Sequence, residues 1–198
     1  MMEKQMKLMR FKVLLVSTLS ILPLLANTSE IVTSPETLEA RSLVKAFGNN
    51  LKHVLKTSMK SGGPIKALEQ CNMQAGPIAQ EIALSSGWGI GRTSLKVRNE
   101  NNLPDNWEMT TLRQFENRKA AGENLKTMEY AETVKAGDKL VYRYMKAIPT
   151  AGLCITCHGG NISQDITQKV KSLYPNDQAT GFMVGDIRGA FSLQKIIN

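Results

Sequence analysis

Histidine and cysteine are scarce in this 198-residue chain, two of the first and three of the second. With so few soft ligands, and no second closely spaced cysteine pair, the sequence does not furnish a four-ligand structural zinc site. Aromatic residues make up only 6 %. There is no Lys/Arg run and no aromatic–basic interleaving of the kind that suggests nucleic acid, so the net charge of +8 does not read as a nucleic-acid surface. Internal repeats and low-complexity tracts are absent. The apolar run "VLLVSTLSILPLL", residues 13–25, falls short of the roughly 20 residues a membrane span needs. Lys4, Lys7, Arg10 and Lys12 precede it and Ala26 follows it, the pattern of an export signal. The expectation is therefore a secretory signal peptide over 1–26, cleaved or retained as an N-terminal anchor, and a single domain over 27–198 outside the cytoplasm, in the periplasm. Contact with a membrane is expected only if the leader is retained. The leader carries +3 of the charge, so the remaining 172 residues carry +5, enough chain for one domain with a core.

The body of the chain reads as helices followed by strands. Ser34-Pro35-Glu36 is an N-cap followed by proline at the first helical position. Leu38, Leu43, Val44, Phe47, Leu51, Val54 and Leu55 recur at helical spacing as far as the breaker "SGGP" at 61–64. A second helix begins at Pro64, with Leu68, Cys71, Ala75, Ile78 and Ile82 on one stripe. Residues 88–97 alternate and read as a strand. Asp105 caps a helix to about Lys119, and "KAGD" joins two strands as a hairpin. A helix is expected over 165–173, and "FMVGDIRGAFSLQKI" closes the chain as one or two strands. The order predicts an α+β fold, an antiparallel sheet with helices against it.

The chemistry concentrates in "LCITCHGGN", residues 153–161. C-x-x-C-H is the attachment sequence of a c-type haem. Two thiols three residues apart reach the two vinyl groups on one porphyrin edge, and the adjacent histidine then falls beneath the iron. On this reading Cys154 and Cys157 are the thioether anchors, and His158 is the proximal ligand of one covalently bound haem c. A thiol redox pair would open a helix after a buried strand in a βαβ setting, which the preceding hairpin and the 149–152 loop do not supply. Chemistry alone leaves the sixth position on the iron open. It allows no ligand, a methionine (Met128, Met145 or Met183), His53, or the unpaired Cys71. Arg92, Lys96 and Arg98 alternate on the expected strand and share a face there, either as partners of the haem propionates or as a solvated surface.

"ALEQCNMQAGPIAQEIA", "GIGRTSLKVRNENNLPDNWE", "ETVKAGDKLVYRYMKAIPTAGLCITCHG" and "GFMVGDIRGAFSL" together resemble a known family. This is the single-haem, c-type cytochrome domain of bacterial exported and membrane-anchored sensor proteins, formerly a domain of unknown function. Its cyanobacterial member has a PAS-like fold. The resemblance spans about Leu55 to Leu193. It implies a PAS-like antiparallel sheet flanked by helices, with a long N-terminal helix. It also implies a distal cysteine ligand from the motif C-x-x-x-A-P-x-I-A, which falls on Cys71. Here Gly76 stands between the alanine and the proline of that motif, and Glu100 stands where many members have proline.

A thiolate ligand lowers the reduction potential relative to Met/His haem and binds ferrous iron more weakly. The implied function is thus a haem-based redox or gas sensor acting on an unknown redox or signalling protein. A small electron-transfer cytochrome is the alternative. A peroxidase-type enzyme would need an acid–base residue over an open iron, and only His53 is on offer. The chain carries no kinase, cyclase or chemotaxis domain of its own.

Overall fold

Two arms joined at a break begin the fold. The computed structural model describes residues 33–197; the expected leader, 1–26, lies outside them. Helix α1 (Pro35–Ser86) opens on Ser34, whose hydroxyl accepts from the Thr37 amide at 3.2 Å. It is interrupted where the sequence placed its breaker: Gly62 (φ −167°, ψ 18°) and Gly63 (φ 68°, ψ −165°) leave helical geometry. Gly63 occupies a region that only glycine enters freely. Pro64 restarts the second arm, where its missing N–H costs nothing. Gly87, at φ 73°, closes the arm by donating to the Ala83 carbonyl.

Four strands make one antiparallel sheet: β1 (Gly89–Thr93), β2 (Glu129–Ala136), β3 (Lys139–Pro149) and β4 (Ile187–Ile197), in the order β1-β4-β3-β2. Gly137, at φ 63°, starts the two-residue turn of the β2–β3 hairpin. Helix α2 (Asn106–Ala120) carries a capping box between Asp105 and Glu108. Strand alternation sorts the sheet into two faces. Tyr142, Tyr144 and Leu193 pack with Ala40 and Val44 of α1 and with Trp88. Met145, Ala147, Ile187 and Ala190 pack with Leu112 and Phe115 of α2 and with Met128. The single turn α3 (Ile155–His158) and helix α4 (Gln164–Leu173) lie beyond the end of β3. There Leu68 of the second α1 arm joins Ile166 and Val170 in a third cluster, with Cys157 against it. The expected class, an antiparallel sheet flanked by helices with a long N-terminal helix, is the one present. Among the described residues, no helix is long and apolar enough to cross a membrane.

Two strand boundaries differ from expectation. The strand expected over 88–97 ends at Thr93. Ser94 Oγ accepts from the Lys96 amide at 3.1 Å and donates to the Arg188 carbonyl at 2.8 Å, which turns the chain. Arg92 therefore lies on the sheet, but Lys96 and Arg98 lie past its end and do not share its face. Residues 181–186 turn instead of extending, with Gly181 and Gly185 at φ 77° and 92°.

Candidate functional site

The C-x-x-C-H segment is wound into one helical turn. The His158 amide donates to the Cys154 carbonyl at 3.0 Å, and the Cys157 amide does so at 3.2 Å. This winding sets Cys154 and Cys157 one turn apart, on the same side, with His158 next to them. Gly159 must follow, because a Cβ there would lie 2.6 Å from the Ile155 carbonyl oxygen. All three cysteines are free thiols. Burial pushes the Cys157 thiol up, the reverse of what activates a redox dithiol.

The imidazole of His158 is fixed from behind. Its Nδ1 lies 2.7 Å from the Ala179 carbonyl, a pure acceptor, so Nδ1 carries the proton and Nε2 presents its lone pair. Burial first, then the Arg188 and Arg98 charges, push its pKa down to about 2, so Nε2 stays unprotonated. Phe182 stands edge-on to the ring, with centroids 6.3 Å apart. The 179–182 strip is stapled to the motif by the Gly181 amide on the Gly159 carbonyl (3.0 Å) and the Phe182 amide on the His158 carbonyl (2.9 Å).

Arg98 holds this arrangement together. Its guanidinium meets Asp177 through two 3.1 Å contacts. It also donates to the Cys157 carbonyl at 2.6 Å and the Ala179 carbonyl at 3.2 Å. The side chains of the pair are only 9 % and 7 % exposed, so this is a buried ion pair whose Nη2 also reaches two carbonyls. Asp177, Ala179 and Phe182 carry no local sequence signal; they sit in a turn whose only mark is "PND".

Cys71 reaches the same place from the second arm of α1. It lies one turn beyond Leu68, which packs in the cluster that includes Cys157. Its charge would be felt at Cys157, and that of Arg92 is felt at Cys71. Burial raises the Cys71 thiol and the Arg92 guanidinium opposes this more weakly, so the unligated group is a thiol. The other candidates for the sixth position lie elsewhere. Met128 and Met145 are fully buried in the core under α2. Met183 is exposed on the 181–186 turn, and His53 is exposed on the first arm of α1.

Arg92 and a residue that the sequence reading missed, Arg188, complete the surroundings. Arg92 lies on β1 opposite Phe191, its guanidinium carbon 5.9 Å from the centre of the Phe47 ring. Arg188 is 5.2 Å from the centre of Phe182, and its Nε is buried without a partner. Paired thiols one turn apart, an imidazole with a free Nε2, an apolar cluster and under-used guanidinium groups fit the planar, dianionic group that the motif implies. A shallow depression between Gly87, Ala136, Lys139 and Gln194 lies at the opposite end of β3 and gathers neither thiol nor imidazole.

Fold and site define a class: an α+β protein in which a C-x-x-C-H turn leaves the end of an antiparallel sheet and meets a cysteine from a broken N-terminal helix. A family model described as Tll0287-like matches residues 25–195, and the chain belongs to that family. Among solved structures it is similar to the cyanobacterial heme-protein Tll0287, with a TM-score of 0.63 and 26 % identity, over 84 % of this chain and 98 % of that one. No curated protein matches the sequence.

Proposed function

We propose that this chain is an exported protein with one haem c, covalently held by Cys154 and Cys157, ligated by His158 and Cys71, and serving as a redox or gas sensor. The observation that carries the reading is the His158 imidazole, locked by the Ala179 carbonyl so that Nε2 is a free, unprotonated donor beside two free thiols. The likeness to a cyanobacterial heme-protein supports it. When bound, haem supplies a one-electron couple at an iron whose potential its axial ligands set. The chain's part is to fix the proximal imidazole through Ala179, Arg98 and Asp177, and to present Cys71 from an arm that begins at a glycine break. Such an arm would hold Cys71 as the more weakly restrained of the two axial donors, so that its release would move the helix that carries it.

The runner-up, a small electron carrier, is favoured by the exposed Leu153, Ile155, Met183 and Val184 around the motif, which suit contact with a partner. The peroxidase reading has less support, since His53 is solvated on the first arm.

The test is expression with haem-attachment machinery, spectra in both redox states, a potentiometric titration and addition of CO. Covalent haem is expected, with Cys71→Ala shifting the Soret and charge-transfer bands of the oxidised protein. An unchanged spectrum removes Cys71 from the iron. CO binding on reduction favours the sensor; a reversible low potential without CO binding favours the carrier.

A further inference from the structure

Arg188 owes its position to an irregularity in the sheet. Along β4, Ala190 pairs with Ala147 and Gly189 with Ile148, but Ile187 pairs with Pro149, so Arg188 is an extra residue, a bulge. Ile187 and Ala190 are three apart yet both pack in the core under α2, which unbroken alternation forbids. The bulge restores Ile187 to that core and leaves Arg188 against Ser94, the Lys96 carbonyl and the Phe182 ring. Gly189 makes the bulge possible: its φ is +155°, and a Cβ there would lie 2.3 Å from the Thr93 carbonyl oxygen.

Three guanidinium groups thus surround the C-x-x-C-H turn, and their uses differ. Arg98 takes Asp177. Arg188 gives one terminal nitrogen to two long contacts, Ser94 Oγ and the Lys96 carbonyl, both at 3.3 Å, and leaves Nε with none. Among the described residues, Arg92 forms neither an ion pair nor a hydrogen bond. Burial lowers the pKa of both free groups, that of Arg188 to about 10, with Arg98 and Arg92 repelling it further. The anion nearest to acting on Arg188, Asp177, is already paired with Arg98, so two half-buried cations are left without a counter-charge of their own.

We propose that Arg92 and Arg188 form a two-armed carboxylate clamp for the haem propionates, whereas Arg98 is a positioning residue for His158. The clamp rests on the haem reading above. Arginine suits it because the guanidinium fork binds a carboxylate through two parallel bonds. A paired propionate stays ionised to lower pH, and the guanidinium beside it favours the reduced haem.

The experiment uses the haem-loaded protein and compares wild type with Arg92→Gln, Arg188→Gln, Arg188→Lys and Lys96→Gln. Lys96 is an exposed cation of the same neighbourhood. The readouts are covalent haem per chain and reduction potential against pH. Each Gln variant is expected to lower the potential at neutral pH and to raise the pH at which the potential begins to bend. Arg188→Lys should recover part of the shift, and Lys96→Gln should leave the bend in place. Gln variants with the wild-type profile, or a Lys96→Gln shift as large as theirs, would overturn the clamp while leaving the haem reading intact. Wild type without covalent haem would overturn both. If a Gln variant loads no haem, Arg188→Lys decides alone: a profile identical to wild type, with no sign of the lost fork, counts against the clamp.

Discussion

His158 is held by a carbonyl, the carbonyl by an arginine, and the arginine by an aspartate. Removing the middle member, Arg98→Ala, leaves Asp177 buried without its cation and the Cys157 and Ala179 carbonyls without their donor. Loss of one partner of a buried pair costs about 3–5 kcal/mol. Urea unfolding of the haem-free protein measures it; a loss below about 1 kcal/mol would mean that the 177–179 turn relaxes into water. Arg98→Lys should recover little, because one ammonium cannot reach two carbonyls and a carboxylate together. A second expectation concerns pH. The folded pKa of His158, about 2, lies far below its ordinary 6.5. Between those values the unfolded chain binds a proton that the folded chain refuses. Stability is therefore intact above about pH 6.5 and falls on acidification by up to about 1.4 kcal/mol per pH unit from this group. His158→Gln should flatten that part of the haem-free protein's pH–stability curve, and an unaltered slope would assign the acid sensitivity to other groups. The sequence made Cys154, Cys157 and His158 legible because their chemistry needs fixed local spacing. Arg188 was illegible, because its surroundings depend on a bulge in β4 that alternation along the sequence does not reveal.

At the scale of elements, the helix break and hairpin could be read directly, since Gly62-Gly63-Pro64 and Gly137 act through local backbone geometry. The end of β1 could not, because it depends on Ser94 bonding to Arg188, 94 residues away. The break at Gly63 has a consequence for the site. It aims the second α1 arm, and so Cys71, at the C-x-x-C-H turn. Gly63→Ala puts a Cβ at φ 68°, ψ −165°, at a cost of about 1–3 kcal/mol. The chain escapes that cost only by changing the angle between the arms. The oxidised haem spectrum of Gly63→Ala should therefore shift as in Cys71→Ala, in part or fully. Gly76→Ala tests the same arm without the strain. That glycine is helical and a Cβ there meets nothing within 4 Å, so alanine should be neutral or stabilise by up to about 1 kcal/mol, with the spectrum unchanged. Equal behaviour of the two variants would mean that the break does not set the position of Cys71.

Across the whole molecule, the proposed haem site draws on residues far apart in sequence: Cys71 from α1, Arg92 from β1, His158 from the turn after β3, Arg188 from β4. Its two sides differ in how firmly they are held. The His158 side is fixed by hydrogen bonds and a buried ion pair. The Cys71 side rests on a small apolar cluster in which Leu68 meets Ile166 and Val170, and on the solvent-accessible Lys169–Glu69 ion pair, which adds little. A ligand that detaches should sit on the side with fewer restraints. Leu68 is 6 % exposed, and Leu68→Ala should cost about 2–5 kcal/mol. Stability loss alone would say little, so the comparison is Leu112→Ala, in the separate core under α2 and 1 % exposed. Both variants should unfold at lower urea. With Cys71 on the iron as proposed, only Leu68→Ala should also free it more readily, seen as faster CO binding to the reduced protein or loss of the spectral features that Cys71→Ala removes at milder potentials. If Leu112→Ala accelerates CO binding equally, access to the iron follows global unfolding, and the second arm of α1 is not an independently moving part.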